Sequence, residues 1–149
     1  MMKKVLLVAL IAMPAFAGGV AEKKKHDQVE EYLAKGAAEI KNCGKTFKLT
    51  FDWKAFDSLP YKEPKDKEDQ YGREMTNVEN VGPGINKLCE DKDYKDAMSK
   101  ISNVIYKPTA NDKIHVHAVI SGGTLTFENY SFGSSRDRDD YVKAAKEAL

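Results

Sequence analysis

The sequence predicts an α+β fold, an antiparallel sheet of about four strands packed on one face by several helices, with a helix at each end. Three observations carry that reading. Apolar and polar residues alternate in Lys45–Trp53 and again in Ile114–Phe132, the period of a strand with one buried face. Around these stretches apolar residues recur at helical spacing. Glycine, proline and asparagine mark the boundaries between them.

The first 17 of the 149 residues read as an export signal rather than as part of the fold. Lys3-Lys4 are basic, Val5 to Met13 are nine apolar residues, Pro14 breaks the run, and Ala15-Phe16-Ala17 has the A-x-A form of a cleavage site. Nine apolar residues are too few to span a bilayer. Gly18 follows the expected cut, so no lipid-bearing cysteine stands there and no membrane anchor is expected. The predicted mature chain, residues 18–149, has the length of one domain and is expected to be periplasmic or secreted. Without Lys3 and Lys4 the balance falls from 24 to 22 basic side chains against 23 acidic ones, a net charge of −1. That balance speaks against nucleic acid as a partner, because no basic excess exists to neutralise phosphates.

Cys43 and Cys89 are the two cysteines, and an even count in an exported chain predicts a disulfide between them. They lie too far apart for the C-x-x-C spacing of a thiol redox centre.

In chain order, Gly18 to Lys25 reads as a flexible lead-in. Asp27 is placed to cap a helix to about Asn42, with Val29, Leu33, Ala37 and Ile40 as its buried stripe and Gly44 as its stop. Gly36 within that helix either weakens it slightly or marks a close approach of another backbone. Lys45 to Trp53 is a strand with Phe47, Leu49, Phe51 and Trp53 inward, followed by a short helical turn to Leu59. Residues 61–80, preceded by Pro60 and containing Pro64, hold many charges and no apolar period, and read as an irregular, mobile insertion. Gly82-Pro83-Gly84 reads as a turn, Ile85–Glu90 as a short helix, and Asp91 or Asp93 as the cap of another helix to Ile101. Asn103–Lys107 reads as a strand ended by Pro108. Ser134 and Asp137 open the last helix with the spacing of a capping box.

The hairpin Ile114–Phe132 is the centre of the prediction. Gly122-Gly123 suits a two-residue primed turn. That turn sets Ser121 opposite Thr124, Ile120 opposite Leu125, Ala118 opposite Phe127, His117 opposite Glu128 and His115 opposite Tyr130. One face is then apolar apart from Asn129, and the other carries His115, His117, Thr124, Thr126, Glu128 and Tyr130.

This second face holds the candidate site. Residues two apart on a strand share a face, so His115 and His117 project together, and Glu128 lies across from His117. Imidazole and carboxylate suit zinc or copper, so these three form a candidate metal set. The plainer reading is a solvent-facing polar row with a His–Glu pair. Ser121 is about 13 Å along the strand from His117, too far for a serine–histidine couple. Thr124, Thr126 and Tyr130 offer an open surface for a protein or peptide, or an edge for a strand of one. The function predicted is therefore a small exported, non-catalytic binding or accessory protein that needs no cofactor. The alternative is a metal-binding protein or metalloenzyme that uses the hairpin histidines.

Overall fold

A computed structural model describes residues 19–149, and the predicted signal segment 1–17 lies outside them. The order is α1 (Gly19–Ala38), β1 (Lys48–Phe51), α2 (Trp53–Asp57), α3 (Pro64–Glu79), α4 (Val81–Leu88), α5 (Lys92–Met98), β2 (Asn103–Thr109), β3 (Val116–Ser121), β4 (Thr124–Tyr130) and α6 (Arg138–Ala148).

The four strands form one sheet in the order β1-β2-β4-β3. Only β3 and β4 are antiparallel, while β1–β2 and β2–β4 are parallel. This corrects the expected antiparallel sheet. Alternation reports which face of a strand is buried and is silent on the direction of its neighbour. The helices α2 to α5 form the crossover that brings β2 back parallel to β1. The hairpin then inserts β4, not β3, beside β2.

The hairpin has the predicted register, with Ser121 opposite Thr124, Ala118 opposite Phe127 and His117 opposite Glu128. Gly122 and Gly123 take φ of 54° and 79°, the positive values a primed turn needs. β2 runs through Pro108 instead of stopping before it. The Tyr106 carbonyl accepts from Asp52 N, so alternate residues of β2, Pro108 included, turn their backbone toward β1. β1 has already ended at Phe51, opposite Tyr106, so the missing N–H of Pro108 breaks no ladder bond.

Several boundaries move for local reasons. β1 is shorter than expected because Asp52 caps α2, its carboxylate accepting from Ala55 N. α1 begins well before Asp27, whose carboxylate instead pairs with Lys23 one turn earlier. Gly82-Pro83-Gly84 is the first turn of α4, where a proline's missing N–H has no helical partner to lose. The box that starts α6 is Asp137 with Asp140, three residues later than expected.

The largest correction is residues 61–80. They hold the four-turn helix α3, with Pro64 in its first turn and a Glu63–Asp66 capping box. Its buried positions, Gln70, Tyr71, Glu74, Asn77 and Val78, have regular helical spacing. Three of the five are polar, so the helix carries no continuous apolar stripe.

The core lies between the helices and one face of the sheet. Phe51, Val104, Tyr106, Leu125, Phe127 and Ala118 face inward. Tyr141 of α6 meets Phe127 edge-on at 5.3 Å, and Phe56 of α2 meets Phe51 at 5.8 Å. Of the two readings of Gly36, the structure shows the close approach. An added Cβ there would lie 2.7 Å from Glu79 O, and one on Gly82 would lie 1.8 Å from Gly36 O. α1 and α4 therefore touch backbone to backbone. Cys43 and Cys89 are disulfide-bonded and buried just past the ends of those two helices. Among the described residues, no helix is long and apolar enough to cross a membrane.

Candidate functional site

The contacts from α2, α3 and α6 to the sheet run to the face of Phe51, Tyr106 and Phe127. The opposite face carries the rows Thr50–Ile105–Thr126–Val119 and Lys107–Glu128–His117. Thr124, Thr126 and Tyr130 are half-buried on it, and His115 and His117 are exposed. His117 Nδ1 lies 3.7 Å from a Glu128 oxygen, the cross-strand pair the register implied. His115 Nε2 lies 3.1 Å from Asp140 of α6, a neighbour the sequence did not reveal.

β3 is an edge strand. Tyr130 N donates to His115 O, so the backbone groups of His115, His117 and Val119 point to β4. Those of Val116, Ala118 and Ile120 point away from the sheet. β3 contains no lysine, no proline and no bulge, the usual means by which an edge is blunted. Val119 and Ile120 on it are 39% and 36% exposed, two of the most exposed large apolar side chains among the described residues. A small cleft between α6 and the start of β3 is lined by His115, Val116, Asp140, Lys143 and Glu147.

A second polar group lies where α1, α2 and α3 meet. Glu22 and His26 are one turn apart on α1, and Asp57 ends α2. One ligand atom from each lies within 4.8 Å of the other two, and among the described residues this is the group of three metal-ligating side chains so placed. Lys67 of α3 reaches Glu22 at 2.8 Å and Asp57 at 3.0 Å, and the Tyr71 hydroxyl donates to Glu22 at 3.0 Å. His26 is buried and stacks flat on Trp53 with ring centroids 3.7 Å apart. Burial lowers the His26 pKa against the pull of Asp57 and Glu22. Burial is the largest single influence on Glu22 and Lys67, but their mutual hydrogen bond, those with Tyr71 and Asp57, and the facing charges together outweigh it, so the carboxyl is held low and the ammonium high. His26 stands between the predicted lead-in, which ends at Lys25, and the predicted cap at Asp27, and no buried role was expected of it. Its spacing from Val29 and Leu33, three and seven residues on, was the available signal.

Comparison with protein-family models, curated proteins and solved structures finds no match to this chain. Its function must be argued from its own geometry.

A third polar group is internal. Glu74 is fully buried and accepts from the Tyr106 hydroxyl and from Gln70 Nε2 at 2.9 Å. Gln70 also donates to Ser131 O at 2.7 Å, and Asn77 Oδ1 accepts from Arg136 N at 2.9 Å. The buried Arg136 guanidinium donates to the carbonyls of His115, Tyr130 and Ser134. Asn129, the polar exception on the inner face, accepts from the Tyr141 hydroxyl at 3.2 Å. These bonds fasten the base of the hairpin to α3 and α6, and their donors and acceptors are matched to one another.

Proposed function

We propose that this chain is a small exported, non-catalytic binding protein that takes an extended segment of a partner protein against the free edge of β3. The observation that carries this reading is the outward-turned backbone of Val116, Ala118 and Ile120, flanked by exposed Val119 and Ile120, on an edge strand with no lysine, proline or bulge. Backbone groups of that kind give affinity to an added strand, and flanking apolar side chains give selectivity. The disulfide supports the export half of the reading, because such bonds persist in oxidising compartments.

The test is capture from the exported proteins of the source organism by wild type, Ile120→Lys and Ala118→Pro. A stoichiometric partner held by wild type and lost by both variants, with unchanged circular dichroism, is expected. The same proteins held equally by all three would refute the reading.

A second reading is favoured by the carboxylates beside the hairpin imidazoles, Glu128 at 3.7 Å from His117 and Asp140 at 3.1 Å from His115. In it, His115, His117 and Glu128 bind zinc or copper. A melting scan tests it: wild type gains thermal stability with either ion, and His117→Ala loses that gain. A wild type that melts alike with zinc, copper and chelator would dispose of this reading.

A further inference from the structure

We propose a second site, independent of the hairpin, in which Glu22, His26 and Asp57 bind a divalent cation of the zinc type in exchange for the Lys67 ammonium. The donor set mixes one imidazole nitrogen with two carboxylate oxygens, which suits zinc better than calcium or magnesium. The geometry is close to what such an ion needs. Ligand atoms bonded at about 2.1 Å in a tetrahedron lie about 3.4 Å apart. The three donors, already within 4.8 Å of one another, reach that spacing by small rotations of Glu22 and Asp57. Trp53 stacks on His26 with the rings 3.7 Å apart and 7° from parallel, which fixes the plane of the imidazole.

The position already selects for a cation. Lys67 bridges both carboxylates, yet one ammonium against two carboxylates leaves a net charge of −1. A divalent ion in its place balances the two carboxylates. Lys67 has somewhere to go: its side chain is 25% exposed and lines an open cleft with Glu22, Lys25 and Tyr71. The Tyr71 hydroxyl on Glu22 supplies the outer hydrogen bond that orients a ligating carboxylate. Asp57 is 49% exposed, which leaves the outer side of the site to water as a fourth ligand.

The experiment is a zinc titration of tag-free, chelator-treated protein, followed by calorimetry and by the fluorescence of Trp53, the one tryptophan in the chain. Wild type is expected to bind one zinc per chain with a change in Trp53 emission. Lys67→Met, which removes the competing ammonium, is expected to bind at least tenfold tighter. Asp57→Asn and His26→Gln are each expected to bind at least tenfold more weakly, and His115→Ala with His117→Ala is expected to change nothing. The half-exposed Asp57→Asn decides the matter alone if His26→Gln does not fold. The proposal is overturned if neither wild type nor Lys67→Met binds one equivalent, if Lys67→Met binds no tighter than wild type, or if binding follows the hairpin histidines instead of Asp57.

Discussion

The Tyr106 hydroxyl donates to the Glu74 carboxylate inside the core, joining β2 to α3 where both side chains are shut off from water. Burial raises the Glu74 pKa above its ordinary 4.5, against the hydrogen bonds from Tyr106 and Gln70. The folded state therefore keeps a proton that the unfolded state releases above pH ~4.5. Stability from this group is fully present below that pH and is lost as pH rises through the folded value. Glu74→Gln removes the titration and keeps the shape. Urea midpoints at pH 4, 6 and 8 should show wild type falling relative to Glu74→Gln as pH rises. Parallel curves would mean that Glu74 does not titrate between folded and unfolded states.

The contact between α1 and α4 makes a paired prediction. Gly82→Ala drives a Cβ to 1.8 Å from Gly36 O, a backbone atom that cannot swing aside, and should cost about 3 kcal/mol or more. Gly72→Ala meets nothing within 4 Å on α3 and should stabilise by up to about 1 kcal/mol. Denaturant melts of both variants check this. Equal effects of the two substitutions would mean that the helices are not in backbone contact.

The disulfide closes a loop across 46 residues of sequence separation, which the chain-entropy model values at about 4 kcal/mol. Replacing both cysteines with serine should lower stability by up to that amount, read from urea melts. An undiminished midpoint would mean that the bond adds nothing to this fold.

In the hairpin, Phe127→Ala should cost about 3–5 kcal/mol, because Phe127 is fully buried against Tyr141. His117→Ala on the outer face should cost under about 1 kcal/mol. Similar losses for both would mean that the two faces are reversed.

The hairpin was legible because its turn glycines, its alternation and its register are all local. β1 and β2 were legible as strands, but alternation says nothing of a neighbour's direction, so their parallel pairing was not. α3 was hidden because its inward stripe is Gln70, Glu74 and Asn77, which find partners in Tyr106, Ser131 and Arg136 rather than in an oily core. Those partners lie 32 to 61 residues away, beyond any local pattern. Separation along the chain likewise hid Asp140 from His115, and Asp57 and Lys67 from His26 and Glu22. His115, His117 and Glu128 were placed by register alone, and their fourth neighbour came from another element.

The most direct test of β3 as a docking strand is amide hydrogen exchange on the complex captured from the exported proteins. In the free protein the amides of Val116, Ala118 and Ile120 face no neighbouring strand and should exchange fast, while those of Val119 and Ser121, bonded to β4, exchange slowly. Partner binding is predicted to slow Val116, Ala118 and Ile120 together, in the alternating pattern of a new ladder. Unchanged exchange at those three amides, with protection gained elsewhere, would contradict the account.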